Sequence, residues 1–482
     1  MRLITQLTRK AGHINLIVSK LNELRYPSNN PQLLARLIAT ITESVRDEIL
    51  SRFQTSPTAG SDDFEDQVKF AVNLLHILTE DLRFVERAVT QNTPWSLVCP
   101  LEKIAEQLHP NSHFVVRPQW SYNYSLREKV SAYRGYLEKL LPSDKLERVF
   151  KSDTGEPILS LYIMGFPYID RLNVLSHVLF GHELGHPIEK EYFTQEQANQ
   201  FFPPLFDAVV KECKVPPDQQ KWNLFDLERV SRMLQQVLEL RRRALAELLC
   251  DVVAANIFGL AALFATEEFA LSRELDAFEK APAYHYPPWR YRPRVMFEEF
   301  PLDWIDHFIT GGRFSDSVSQ VLKTKLTEIR LTVEQDEDKT NLSKDSETRI
   351  AYESVEATLP KIRTFVKERL SDRGFALEDL IGSTNGLLLG RLENWIPPDA
   401  YVDENGDEVP ADMRAVLNIG WLRWIIAFAQ MPAALSDKRE VDDYLKKVEA
   451  LNRLVLKGIE YIDLRSDWFA HSVKEDKVGN TH

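Results

Sequence analysis

The amino-acid sequence predicts a mainly α-helical protein with a small β-sheet, in the α+β class. Apolar residues recur at helical spacing over long stretches, such as residues 31–53. Two short apolar segments, 114–117 and 158–164, are bounded by turn-forming residues and predict strands. The chain has 482 residues and 44% hydrophobic residues, so it can form two or three domains with a large core.

The first 110 residues are predicted to be an N-terminal helical region. Residues 31–53 carry one apolar helix face, and a second amphipathic run covers 64–89. Ser61, Asp62 and Asp63 provide an N-cap for this second helix.

The central part combines the strands with two further helices. Asp170 is a plausible cap for a helix over 172–186. A very long helical pattern follows over about 226–269, in which Gly259 is almost the only helix-breaking residue. An irregular segment rich in proline and aromatic residues then covers 282–293.

The charged segment 333–347 lacks aromatic residues and predicts a linker or loop, which we place at 331–348. It separates the central part from a C-terminal helical region, 349–482. Within that region, Asn405-Gly406 predicts a tight turn.

Composition excludes several classes of protein. The net charge of −13 argues against nucleic acid as a partner, because phosphate binding favours a basic field. The longest apolar stretches, 252–265 and 421–435, are shorter than the roughly 20 residues of a membrane span, so no membrane partner is expected. Three widely spaced cysteines and no secretory pattern predict a cytoplasmic protein.

The segment HELGH, residues 182–186, predicts a metal site. Histidines four residues apart lie on one face of a helix, so His182 and His186 can bind the same ion. Glu183 can reach the water on that ion instead of the ion itself. Zinc suits imidazole ligands, and a catalytic zinc site leaves one position open. Alternatively, the three side chains are ordinary polar residues of a helix.

A later apolar helix provides a candidate for the third ligand. Glu247 and Asp251 are four residues apart on a face that also carries small side chains. We predict Glu247 as the third ligand and Asp251 as the acceptor of a ligand-histidine N–H, which would fix the tautomer of that histidine. Alternatively, Glu247 pairs with Arg243 in its own helix or is exposed to solvent.

Pro187 follows the second histidine directly and is expected to end or kink the helix there. Glu189 and Glu191 come after this proline, so we predict that they are poorly placed to reach the metal.

HELGH followed by ELLCD resembles the gluzincins, zinc metallopeptidases with an HExxH helix and a later helix bearing ExxxD. The resemblance covers about residues 158–292 and implies a zincin-like catalytic core, which we place at 111–330. It implies a Zn²⁺ ion and roles for five residues: zinc ligands His182, His186 and Glu247, general base Glu183, and Asp251 behind the ligands. The 61 residues between His186 and Glu247 require inserted helices.

The resemblance also implies how a substrate binds. The strand 159–164 is expected to form an edge of the cleft and to pair with an extended peptide. Leu161, Tyr162 and Ile163 are therefore the predicted substrate-binding residues.

The expected reaction is peptide hydrolysis by a zinc-activated water, with Glu183 transferring the proton to the leaving amine. The oxyanion needs a further donor. The candidates lie after the ExxxD helix, and we prefer them in the order His285, Arg290, Tyr286; Tyr284 and Arg292 are also available. Alternatively, this aromatic segment packs on the core.

Three functions remain open at this level. The first is a cytoplasmic metallopeptidase that acts on a peptide or protein substrate. The second is a helical interaction or regulatory protein that retains a structural metal site, and the third is a hydrolase of another amide. The flanking helical regions could bind a partner protein or form a homo-oligomer.

Overall fold

Helices make up 73% of the structure and strands 7%, which confirms the predicted mainly α-helical class with small sheets. The structure is a computed structural model. It describes residues 1–482 except 56–61, 153–154, 197, 217–218, 272–284, 335–344, 383, 404, 430–437 and 480–482. The chain divides into two compact units, Met1–Leu172 and Asn173–His482.

The first unit contains six α-helices and three strands among its described residues. The helices are α1 (Arg2–Leu21), α2 (Asn30–Thr55), α3 (Asp62–Arg87), α4 (Trp95–Leu108), α5 (Val130–Leu137) and α6 (Ser143–Val149). The strands are β1 (Ser112–Gln119), β2 (Ser125–Glu128) and β3 (Ser160–Pro167). The two helices predicted over 31–53 and 64–89 are thus observed as α2 and α3.

The three strands form one sheet in the order β1-β3-β2. Strand β1 pairs with β3 in parallel along its whole length, and β2 pairs with β3 antiparallel. One face of the sheet contributes Val115, Leu161 and Ile163 to a core shared with α1, α2 and α3.

The position of β3 corrects one prediction. Leu161, Tyr162 and Ile163 lie in the middle strand of the sheet and are buried. Both edges of this strand are occupied, since Tyr162 pairs with Phe114 on one side and with Glu128 on the other. The predicted cleft-edge strand that pairs with an extended substrate is therefore wrong.

The second unit contains twelve α-helices and a two-stranded hairpin in its described part. The helices are α7 (Phe180–Glu183), α8 (Gly185–Gln195), α9 (Ala198–Glu212), α10 (Leu224–Phe258), α11 (Leu260–Leu271), α12 (Tyr291–Phe297), α13 (Leu302–Gly311), α14 (Asp316–Glu334), α15 (Ser346–Ser371), α16 (Thr384–Glu393), α17 (Met413–Ala429) and α18 (Lys438–Gly479). The hairpin strands are β4 (Ala400–Val402) and β5 (Glu408–Pro410), which flank the predicted turn at Asn405-Gly406.

Helix α10 is the central element of this unit. Its N-terminus is fixed by a capping box, in which the Asn223 side chain accepts from the Asp226 N–H and the Asp226 carboxylate accepts from the Asn223 N–H. The helix ends at Gly259, whose φ of 60° is a conformation that favours glycine. The predicted pattern over 226–269 is therefore two helices, α10 and α11.

The HELGH segment is not one continuous α-helix. A 3₁₀ helix covers Val174–Leu179, α7 follows, and α8 begins at Gly185 after a break at Leu184. Pro187 lies in the first turn of α8, where its missing N–H has no intrahelical acceptor. The prediction that the helix ends or kinks at Pro187 is wrong in its position, because the break precedes His186 and the chain remains helical through Pro187 to Gln195.

The division into units differs from the predicted domain boundaries. The boundary after Leu172 falls inside the region 111–330 that we assigned to one core. Helix α15, which we assigned to a separate C-terminal region, packs along α10 within the second unit. Most of the predicted linker, 335–344, lies outside the described residues. Among the helices that are described, none has the length and apolarity needed to cross a bilayer.

Candidate metal centre

The candidate metal centre depends on a close approach between two helical segments of the second unit. A Cβ placed on Gly181 would lie 3.0 Å from the Cα of Ala254, and one on Gly185 would lie 2.6 Å from the Cα of Cys250. Any larger residue at Gly185 would therefore overlap the backbone of α10. Because these glycines are four residues apart, one directly before HELGH and one inside it, they bring both histidines against the face of α10 that bears the acids.

His182 lies between two carboxylates of α10. Its Nδ1 is 2.9 Å from Asp251 Oδ1, and its Nε2 is 3.3 Å from Glu247 Oε2. Burial alone would lower the pKa of His182, but Asp251 and Glu247 outweigh burial and raise this pKa to about 10. His182 is thus held at both ring nitrogens, with Nε2 directed at Glu247.

His186 has a similar arrangement on the next turn. Its Nδ1 is 3.0 Å from Glu189 Oε2, while its Nε2 is 3.9 Å from Glu183 Oε2. The side chain retains 28% of its exposure, against 13% for His182. The two rings are nearly perpendicular, with centroids 5.3 Å apart. Solvent therefore reaches the centre more freely at His186.

The two glutamates near the imidazoles are buried and differ in charge environment. Burial raises the pKa of Glu183, although the two nearby histidines oppose this shift. Burial would raise the pKa of Glu247 as well, but its hydrogen bond with His182 and the charge of Arg292 lower it. Glu183 is consequently the stronger base of the two carboxylates.

Arg292 of α12 anchors Asp251 from behind. Its Nε donates to Asp251 Oδ2 over 2.8 Å and its Nη2 donates to Asp251 Oδ1 over 2.7 Å. Burial would raise the pKa of Asp251, but the charge of Arg292 outweighs burial and lowers this pKa to about 2. The guanidinium also lies 4.7 Å from the ring centroid of Trp289. Asp251 is thus a fixed, ionised acceptor for His182.

Two different sets of three residues could hold a metal ion here. Ligand atoms of His182, His186 and Cys250 all lie within 4.8 Å of one another. The other set replaces Cys250 by Glu247, which faces His182 Nε2. The Cys250 sulfur is fully buried and lies 3.4 Å from His186 Nδ1, the nitrogen that Glu189 already holds. Glu247 lies 3.3 Å from His182 Nε2, whose ring is held at Nδ1 by Asp251, but Glu247 does not belong to the group of ligand atoms that lie within 4.8 Å of one another.

The predicted oxyanion donors have separate environments. His285 is buried, with Nε2 2.8 Å from the hydroxyl of Tyr352. The Arg290 guanidinium donates to the carbonyl of Thr332. Tyr286 is 56% exposed; partial burial, and then the charge of Glu247, raise the pKa of its hydroxyl. Tyr284 lies outside the described residues.

Three residues of the centre were missed or misjudged from the sequence. Glu189 binds His186 because Pro187 starts a helical turn instead of ending one, which makes Glu189 an i+3 neighbour. Cys250 follows Glu247 by three residues on α10, so helical spacing could have indicated it. Arg292 was considered only as an oxyanion donor, and nothing in the sequence links it to Asp251.

Comparison with models of protein families, with curated proteins and with solved structures finds no match for this chain. Support for a function therefore comes from the contacts and charges of the residues described above.

Proposed function

We propose that this protein is a zinc-dependent hydrolase, a metallopeptidase that cleaves peptide bonds, with His182, His186 and Glu247 as the zinc ligands. One observation carries the proposal: each imidazole has its Nδ1 on a carboxylate and its Nε2 directed at another. Carboxylates at Nδ1 orient ligand histidines and raise their basicity. Two histidines held in this way, with Glu247 beside the Nε2 of His182, are suited to bind a zinc ion.

The residues also suit the chemistry of amide hydrolysis. When bound, zinc would polarise the scissile carbonyl and lower the pKa of a water to about 7. Glu183 is buried, and its Oε2 lies 3.9 Å from His186 Nε2, next to the proposed ligands. In our proposal, this carboxylate accepts the proton of the attacking water and donates it to the leaving amine.

For the oxyanion donor, the contacts favour a different order from the one expected from the sequence. The hydroxyl of Tyr286 is influenced by both Glu247 and Glu183 and is accessible. His285 and Arg290 instead bind Tyr352 and Thr332. We therefore propose Tyr286 first. Tyr286→Phe should lower kcat about 10²-fold or more while zinc content stays unchanged.

The proposed substrate is a peptide or protein, and the proposed setting is the cytoplasm. The three cysteines form no disulfide with one another.

The test combines metal analysis with a peptide library. Purified protein and its Glu183→Gln variant are incubated with mixed peptides, and new termini are detected by mass spectrometry. We expect one zinc per chain in both proteins, with cleavage in the wild type only. Glu191→Gln is the matched control, because Glu191 lies on the next helix, α8, and pairs with Arg369 at 2.8 Å. Full cleavage by Glu183→Gln would refute the mechanism.

A second candidate function follows from Cys250. If His182, His186 and Cys250 hold the ion, the buried thiolate forms a structural site and the protein acts by binding a partner. The two proposals predict opposite metal-binding results. Loss of zinc in Glu247→Gln with zinc retained in Cys250→Ser supports the hydrolase, and the reverse supports the structural site.

A further inference from the structure

A second cluster of charged residues lies in the first unit, on the sheet face that packs against α3. Arg117 of β1 is opposite Gly165 of β3, and Arg127 of β2 is opposite Ile163 of β3. Paired residues on neighbouring strands project to the same face, so Arg117 and Arg127 flank β3 on one side of the sheet. The same face of the sheet is apolar at Ile163 and becomes polar near Gly165.

Arg117 is buried without an ion-pair partner among the described residues. It retains 4% of its exposure, and its Nε has no hydrogen-bond partner among the described residues. Its Nη1 donates to the Pro118 carbonyl over 3.2 Å, and its guanidinium lies 4.2 Å from the ring centroid of Phe84. A buried cation with a free donor is costly unless an anion approaches it.

Nearby positive charges make the burial of the Arg117 guanidinium less favourable. Burial, together with repulsion from Arg87 and Arg127, lowers the pKa of Arg117 to about 10. The nearby carboxylate of Asp81 is already engaged, at 2.7 Å from both Lys129 Nζ and the Tyr133 hydroxyl. No described carboxylate forms an ion pair with any of the three arginines.

The centre of this sheet face is polar instead of apolar. Gly165 has no side chain, and the space above it is occupied by Gln119 and Ser125. The Ser125 hydroxyl donates to Gln119 Oε1 over 3.2 Å, and Gln119 Nε2 donates to the Asn123 carbonyl over 2.6 Å, so these two polar side chains beside Gly165 are held by their own hydrogen bonds.

We propose that Arg87, Arg117 and Arg127, here called the arginine cluster, bind a phosphate group, either free or carried on a small organic molecule. A phosphate is nearly a dianion and has several acceptor oxygens, which matches three guanidinium groups better than one carboxylate does. Arg127 is exposed and Arg87 partly so, which gives an anion access, while Arg117 lies behind them. This proposal is independent of the metal centre.

The test is calorimetric titration of the full chain with inorganic phosphate, at constant ionic strength set by chloride. We expect saturable binding of one phosphate per chain. Arg127→Gln should weaken binding roughly tenfold or more, since a charge-assisted contact is lost. Arg117→Gln should abolish binding. Arg134→Gln is the matched control, because Arg134 pairs with Glu147 in the same unit and should leave binding unchanged.

Two further ligands separate the possible sources. Glycerol phosphate binding more tightly than inorganic phosphate indicates a phosphate carried on an organic molecule, and weaker binding indicates free phosphate. Acetate tests a carboxylate ligand, and equal responses to acetate and phosphate would overturn the proposal. Absence of saturable phosphate binding at millimolar concentrations, or unchanged binding in Arg127→Gln, would also overturn it. Because Arg127 is exposed, that variant is expected to fold even if Arg117→Gln does not.

Discussion

The buried pair between Arg292 and Asp251 gives a prediction about stability that can be quantified. Both side chains are more than nine-tenths buried and share two charged hydrogen bonds of 2.7 and 2.8 Å. A hydrogen bond to a charged group contributes about 1.5–3 kcal/mol, and breaking a buried pair from one side costs about 3–5 kcal/mol. Asp251→Asn and Arg292→Met should each lower the free energy of unfolding by about that amount.

Comparison of the double variant with the two single variants isolates the interaction energy between Arg292 and Asp251. With both charges removed, no ion remains buried alone, so the double variant should lose about 2–3 kcal/mol less than the sum of the single losses. The assay is urea unfolding followed by circular dichroism, with a chelator present so that metal binding does not contribute. The more exposed pair Arg134–Glu147, 2.5 Å apart, serves as the control cycle and should couple by less than about 1 kcal/mol.

Two results would contradict this reasoning. One is a single variant within about 1 kcal/mol of the wild type, since this would mean that the remaining charge is solvated. The other is additivity of the two changes within about 0.5 kcal/mol, since this would mean that the two groups do not interact.

Three further predictions concern single residues. Gly185→Ala should lower the free energy of unfolding by about 1–3 kcal/mol and weaken zinc binding, because the new Cβ would meet the Cys250 backbone. Gly12→Ala is the control and should not destabilise the protein, because the space around its Cβ is open. Urea unfolding and zinc titration of both variants check this prediction. Burial raises the pKa of Glu102 to about 8 from 4.5, so the folded state retains a proton that the unfolded chain releases. The contribution of Glu102 to the free energy of unfolding should be full below about pH 4.5 and fall by about 1.4 kcal/mol per pH unit up to about pH 8, and Glu102→Gln should remove this contribution from urea titrations. Glu189→Gln should weaken zinc affinity about 10–100-fold by releasing the second histidine, and unchanged affinity would exclude an orienting role.

The sequence predicted the helices of the candidate centre better than their junctions. Apolar periodicity and small side chains on one face indicated that the helix bearing Glu247 and Asp251 could approach HELGH, and the structure brings Asp251 to 2.9 Å from His182 Nδ1. The break at Leu184 was placed wrongly because a proline is read as the end of a helix. The same residue is equally compatible with the first turn of a new helix, and local sequence does not distinguish the two.

The predicted edge strand failed for a different reason. Strand β2 reads Ser-Leu-Arg-Glu and has no apolar alternation, so hydrophobic periodicity gave no sign that it exists. Its place beside β3 comes from backbone hydrogen bonds, which any residue except proline can form. A strand of this kind can be recognised only once the partner is known, and its presence turned β3 from a predicted edge into the centre of the sheet.

The same limitation explains why the environment of the histidines was only partly foreseen. Side chains can be placed on a helix face from spacing, but the distance between two helices depends on which residues meet at the crossing. Here Gly181 and Gly185 meet the backbone of Ala254 and Cys250, so a backbone contact and not side-chain packing sets the separation. Gly185, the glycine inside HELGH, thus allows the close approach of the two helices, a role that the spacing of the metal ligands does not itself require. A protein with the same two histidines and a larger residue at position 185 would hold α10 farther away, and Glu247 could not remain 3.3 Å from His182.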